Sequence, residues 1–249
     1  MLFIAILVLL SGCIQSQTQE NGQRAVDQTK NQTAYGEQIS FETDDRFLIF
    51  GTYYPKENAR PVILLHMLSR DRHTYDEFAK ILNEKYAVLS IDLRGHGQSI
   101  TSNSLRKTRW EEFSDDDFRD MVKDVKGAKE FFISRGVDAN NLAVIGASIG
   151  ANTALNYASE DDDVKAVVLL SPGLDYGGVK TEEAMKKYRG KALIMAGERD
   201  TESARDSRKL KEVAGDRAEL KIYSGDEHGT ELLFRYDTIE IILKWLQEN

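Results

Sequence analysis

Five consecutive residues, Gly146-Ala147-Ser148-Ile149-Gly150, have the types and spacing that most directly suggest chemistry in this chain of 249 residues. They follow the apolar run Leu142-Ala143-Val144-Ile145 and precede a small-residue segment, Ala151 to Ala158, that reads as a helix. A serine flanked by glycines two positions away, on a strand-to-helix turn, holds its hydroxyl clear of the backbone, where it can attack a carbonyl. A serine hydroxyl is a poor nucleophile until a base takes its proton, and the base needs an acid to hold it in one tautomer. Four histidines are available: His66, His73, His96 and His228. His228 lies in Gly225-Asp226-Glu227-His228-Gly229, after the last predicted strand and before the last predicted helix. Asp200, in Gly197-Glu198-Arg199-Asp200, follows another apolar run and gives the chain order Ser, Asp, His. Asp226 and Glu227 are the alternative acids, although their adjacency to His228 makes contact with its Nδ1 awkward. Asp200 also has a simpler reading, as the N-cap of a helix starting near Ser203. The expected chemistry is acyl transfer with Ser148 as nucleophile, His228 as base and Asp200 as acid.

The elements that must position these residues alternate between two hydrophobic periods. Gln38 to Phe41 and Arg46 to Tyr54 read as an antiparallel pair around an Asp44-Asp45 turn. Pro61 to Leu65, Ala87 to Ile91, Asn141 to Ile145, Val164 to Leu170, Ala192 to Ala196 and Glu219 to Tyr223 are short apolar runs, the pattern of strands buried on both faces. Between them, helical patterns cover Tyr75 to Glu84, Ser114 to Arg135, Ser203 to Val213 and Leu232 to Gln247. The second of these presents Phe118, Met121, Val122, Val125 and Phe132 on one face, with Ser114 as its cap, Asp115 to Asp117 in its first turn and Gly136 after its end. The fold class is therefore α/β, with a mainly parallel, doubly wound sheet of eight strands flanked by helices. Ser148, Asp200 and His228 each follow a predicted strand and so fall on one rim, where open α/β sheets place ligands.

From about residue 38 onward the chain resembles the α/β-hydrolase superfamily, especially its dienelactone-hydrolase and serine-aminopeptidase-like esterase branches. Besides the Ser148 turn, Leu64-Leu65-His66-Met67-Leu68 matches the H-G-x loop after strand three. Asp92-Leu93-Arg94-Gly95-His96-Gly97-Gln98-Ser99 matches the D-x-R-G-x-G-x-S loop after strand four. The resemblance implies an oxyanion hole built from the backbone N–H groups of Ile149 and Leu68. Met67 stands where the family usually has Gly, which leaves Met67 itself as an alternative donor. His66 is expected to hydrogen-bond within its loop and orient the oxyanion N–H, and His96 to occupy a tight Gly-flanked turn. Many relatives insert a helical lid after the sixth strand. Here Ser171 to Gly190 has room for one short helix, Glu182 to Tyr188, so an open site without a large cap is expected, suited to small or accessible esters. Trp110 either lines the pocket or packs against the following helix. Carboxylic ester hydrolysis is the expected reaction. Aminopeptidase, thioesterase or lactonase activity would use the same groups, and the competing class is a noncatalytic hydrolase-fold lipoprotein.

Bulk properties narrow the partners. The formal net charge of -8 argues against nucleic acid, since phosphate binding needs a cationic face. The one basic cluster, Arg106-Lys107-Thr108-Arg109, is short and reads as a solvated loop. Neither H-E-x-x-H nor C-x-x-C spacing occurs, so no metal is expected, and no dinucleotide fingerprint is complete, so no cofactor. Residues 1–13 read as a signal peptide: Met1 to Leu10 is uninterrupted apolar, too short to span a hydrocarbon core of about 30 Å. Leu10-Ser11-Gly12-Cys13 resembles a lipobox and implies lipidation of Cys13, the only cysteine; the alternatives for the apolar run are an uncleaved membrane-associated segment and a buried helix. Residues 14–37, rich in Gln, Thr and Asn, read as a flexible tether, with a sequon at Asn31-Gln32-Thr33. Residues 38–249 then form the hydrolase domain, expected at the cell envelope outside the cytoplasm and anchored to the membrane by its lipid.

Overall fold

The period-two alternation inside each apolar run decides the architecture. In the run Pro61–Leu65, Val62 and Leu64 point to one face of the sheet, while Ile63 and Leu65 point to the other. All four are fully buried, so both faces must be covered. The computed structural model describes residues 36–102 and 108–249. Cys13, residues 14–35 of the expected tether, the sequon and Arg106-Lys107 lie outside the described residues, while Glu37 already belongs to the first strand.

The long strands are β1 (Glu37–Glu42), β2 (Phe47–Tyr54), β3 (Pro61–Leu65), β4 (Ala87–Ile91), β5 (Leu142–Ala147), β6 (Val164–Leu170), β7 (Lys191–Gly197) and β8 (Ala218–Tyr223). They form one sheet in the order β1-β2-β4-β3-β5-β6-β7-β8, and a two-residue ninth strand, Thr101–Ser102, pairs with β2. β1 and β2 form an antiparallel hairpin, and β2 runs antiparallel to β4; from β4 through β8 all pairings are parallel. The helices are α1 (Asp76–Leu82), α2 (Asp115–Arg119), α3 (Met121–Ser134), α4 (Ile149–Ala158), α5 (Glu182–Lys187), α6 (Thr201–Ala214) and α7 (Thr238–Glu248). Residues of α3, α4 and α6 pack on the Ile63/Leu65 face. Those of α1 and α7 pack on the Val62/Leu64 face. The segment between β6 and β7 holds only a two-by-two-residue hairpin, Asp175–Tyr176 with Val179–Lys180, and the short α5. No helix among the described residues is long and apolar enough to cross a membrane.

Two expected helices are interrupted. Ser114 does start a helix, through a capping box with Asp117, but the ladder breaks at Asp120, whose ψ of -11 is that of a tighter turn. The Asp120 carboxylate faces Lys123 at 2.8 Å and Arg94 at 3.8 Å. The break lets α2 lean over the Asp175–Lys180 hairpin, where Phe118 packs against Gly177, while α3 follows the sheet. Likewise, Leu232 to Gln247 is not one helix. A 3-10 turn covers Gly229–Phe234, and α7 starts only at Thr238. The Arg235 guanidinium is drawn to Glu227 at 2.7 Å and over the Tyr223 ring, which turns the chain between them.

Candidate active site

β3 and β5 are neighbours in the sheet although β4 intervenes in sequence, so the chain leaves β3 and β4 in opposite directions. The crevice at such a switch point is where open α/β sheets bind ligands. β5 ends there in the turn that carries Ser148. The turn is tight enough to leave no room for a side chain at either flanking glycine. A Cβ on Gly146 would lie 2.2 Å from the Gly150 carbonyl oxygen, and one on Gly150 would lie 2.5 Å from the carbonyl oxygens of Leu65 and His66. Both obstacles are backbone and cannot swing aside. Ser148 itself takes φ 53 and ψ -119, a conformation that costs a non-glycine residue about 1–3 kcal/mol. Its N–H donates to the Leu170 carbonyl at 2.8 Å, which ties the elbow to the end of β6.

The Ser148 hydroxyl meets the His228 Nε2 at 2.8 Å, and the His228 Nδ1 meets the Asp200 Oδ2 at 2.7 Å. The structure thus brings the three side chains into one continuous line, from positions 80 and 28 residues apart. Asp200 occupies the N-cap position of α6 but makes no side-chain cap bond. Its carboxylate is turned to the imidazole instead. Asp226 faces Arg199 at 3.7 Å and Glu227 faces Arg235, so both alternative acids are engaged elsewhere. With Asp200 accepting at Nδ1, the ring carries its proton there and presents Nε2 as acceptor to the hydroxyl.

Two further groups flank this line. The Ser203 hydroxyl lies 3.4 Å from the His228 Nδ1, and the Tyr176 hydroxyl lies 3.0 Å from Ser203. The Tyr176 ring stands edge-on to His228, and burial raises its phenol above its ordinary pKa, so it stays protonated. Sequence reasoning missed Ser203 and Tyr176. Ser203 sits one helical turn after Asp200, a spacing that could have flagged it, but nothing in the sequence brings the Asp175–Lys180 hairpin over the imidazole.

Ile149 is the first residue of α4, so its N–H has no acceptor within the helix. Leu68 follows β3 on the facing strand end. Among the described residues, neither its N–H nor that of Met67 makes a backbone hydrogen bond. Met67 does not take a positive φ, so the conformation that would demand glycine is not used here. Its side chain packs instead against Gly229, beside His228. His66 fixes the loop: its Nδ1 donates to the Met67 carbonyl at 2.8 Å, and its Nε2 accepts from the Leu93 N–H at 3.0 Å. Complete burial pushes the imidazole down to about 3, so it is neutral.

The remaining sequence features turn out to be scaffolding. In the loop after β4, Asp92 pairs with the buried Arg72 and accepts the Gln98 N–H. Arg94 is held by Asp124 and Asp45, and the Ser99 hydroxyl accepts the Phe50 N–H. His96 is buried, and Trp110 stacks on its ring at 5.7 Å. His73 pairs with Asp76 at the surface. Among the described residues, no group of three His, Cys, Asp or Glu side chains is arranged to hold a metal ion.

Residues 56–180 match the family described as serine aminopeptidase, S33. No curated protein matches the sequence. Among solved structures, the chain is similar to the esterase Pf2001 of Pyrococcus furiosus, at 17% identity and TM-score 0.69, over 85% of this chain and 92% of that one. It is similar to the esterase RhEst1 of Rhodococcus sp. ECU1013, at 15% identity and TM-score 0.69, over 84% and 98% of the two chains. It is also similar to a dienelactone hydrolase of Anabaena variabilis ATCC 29413, at 17% identity and TM-score 0.64, over 86% and 96%. At these identities the likeness is one of fold.

Proposed function

The chain belongs to the serine aminopeptidase, S33, family of α/β-hydrolases, and from that premise we propose that it hydrolyses carboxylic ester-type acyl bonds through a serine-bound acyl intermediate. The observation that carries this reading is the unbroken hydrogen-bonded line from the Ser148 hydroxyl through His228 to Asp200. A scaffold has no physical need for all three.

Ser148 Oγ attacks the substrate carbonyl while His228 Nε2 takes its proton. Asp200 keeps the other ring proton on Nδ1 and stabilises the imidazolium that forms. The carbonyl oxygen becomes an oxyanion, which the N–H groups of Ile149 and Leu68 receive. Each such donor is typically worth about 10²–10³ in rate. The imidazolium returns its proton to the leaving alcohol, and the acyl group stays on Ser148. Water, deprotonated by the same imidazole, then attacks the acyl-enzyme and releases the acid. With only a short hairpin and α5 between β6 and β7, access from solvent favours small or accessible esters over long chains held in a tunnel.

The test is reaction with a fluorophosphonate probe, together with turnover of short p-nitrophenyl esters, thioesters and aminoacyl amides. Wild-type protein is expected to label at Ser148 and to turn over esters fastest. Ser148→Ala should lose labelling and about 10⁴–10⁶ in kcat, with its circular dichroism unchanged. Wild-type protein that neither labels nor hydrolyses would identify a noncatalytic use of the fold. Fastest turnover of thioesters or amides would reassign the substrate while keeping the mechanism.

A further inference from the structure

We propose that Ser171 is a positioning residue whose hydroxyl sets the separation between Ser148 and His228. This rests on the reading of those two residues as nucleophile and base. Two consecutive residues at the end of β6 each hold a different half of the site. The Leu170 carbonyl accepts the Ser148 N–H at 2.8 Å. One residue on, the Ser171 Oγ accepts the Gly229 N–H at 2.9 Å. The nucleophile turn and the base loop are thereby tied to a single corner of the chain.

Gly229 immediately follows His228 and is buried, so its N–H would be orphaned without this acceptor. Its φ of +57 makes the loop turn sharply against Met67, whose Sδ lies 2.7 Å from where a Cβ would stand. Holding this N–H holds the backbone that carries the imidazole.

The backbone at Ser171 shows that the hydroxyl is kept at a conformational cost. Among the described residues, five other than glycine have positive φ: Arg46, Asn58, Ser69, Ser148 and Ser171. The first three are exposed turn residues, and the two buried ones are Ser148 and Ser171. Ser171 has φ +51, is fully buried, and precedes Pro172, which restricts its backbone further. Its N–H donates to the Met195 carbonyl at 2.7 Å, so β7 pins the corner from the other side. Glycine would accept this backbone without strain but would lack the hydroxymethyl group that reaches Gly229. The outlier is thus explained by what the hydroxyl does, and what it bonds is the residue after the base.

The experiment compares wild type, Ser171→Ala and Ser171→Gly in steady-state ester hydrolysis, in the rate of fluorophosphonate labelling and in urea midpoint. Both variants are expected to lose about ten- to a hundredfold in kcat and in labelling rate, with KM unchanged. Both variants orphan the Gly229 N–H and should lower the urea midpoint, Ser171→Gly less than Ser171→Ala because glycine also relieves the strain. A Ser171→Gly protein that labels and turns over at the wild-type rate overturns the inference alone. Wild-type protein that does not label overturns the underlying reading and this inference with it.

Discussion

In the proposed mechanism His228 can take the Ser148 proton only while its own ring proton stays on Nδ1, and the group facing that atom at 2.7 Å is the Asp200 carboxylate. Asparagine at this position has nearly the same shape but can turn an N–H toward the ring. That would favour the tautomer with the proton on Nε2, which cannot accept from Ser148. Asp200→Asn is therefore expected to lower kcat by about 10⁴, a barrier increase of about 5.4 kcal/mol. The urea midpoint should barely move, because Asp200 makes no cap bond whose loss would weaken α6. Steady-state kinetics and urea unfolding on the same preparation check both halves. The residue types and chain order of Ser148, Asp200 and His228 were legible in the sequence because motif spacing and predicted strand ends are local properties. Ser171 was not. A serine before a proline after a strand is a common pattern, and its bond to Gly229 spans 58 positions.

The Ser148 turn holds its shape as an element because β5 lies directly beside β3. Leu65 pairs with Gly146 across the two strands, which brings the backbone of Leu65 and His66 against Gly150. Gly150→Ala would force a Cβ to within 2.5 Å of two carbonyl oxygens. Overpacking of this kind costs about 1–3 kcal/mol. Any relief must move either the Ser148 turn or the His66-Met67-Leu68 loop. The expected outcome is a lower urea midpoint together with slower fluorophosphonate labelling. A variant that loses stability but labels at the wild-type rate would show that the turn tolerates displacement. The strands were readable from their apolar runs to within two residues, since burial on both faces leaves little else in them. The interrupted helices were not. The hydrophobic pattern continues through Asp120 and through Arg235 to Asp237, and only contacts with Arg94, Lys123 and Glu227 break it.

Across the whole molecule, the sheet divides the core into two apolar layers, and the His66-Met67-Leu68 loop leaves β3, which both layers bury. His66 sits at this depth as a neutral ring, bonded at both nitrogens. Below the ordinary histidine pKa the unfolded chain takes up a proton on His66, whereas the folded chain refuses it until about pH 3. Between those values the unfolded state binds more protons, so stability falls as the pH drops from about 6.5 toward 3. Urea midpoints of wild type and His66→Gln, compared from pH 7 to pH 4, should show a steeper decline in the wild type. Parallel curves would mean that the site relaxes to solvate the charge.

The sequence alone determined the layered α/β architecture, because alternating periods of two and 3.6 residues leave few ways to bury every apolar face. It also placed Ser148, His228 and the three candidate carboxylates Asp200, Asp226 and Glu227 after predicted strands on one rim. The tertiary structure decided everything that depends on two segments touching. It chose Asp200 over Asp226 and Glu227, set Tyr176 and Ser203 beside the imidazole, and tied the Ser148 and His228 loops to one corner at Leu170 and Ser171. The reason is range: burial patterns are written along the chain within a few residues, whereas a hydrogen bond of 2.7 Å between residues 28 positions apart exists only once the whole sheet has aligned its strand ends.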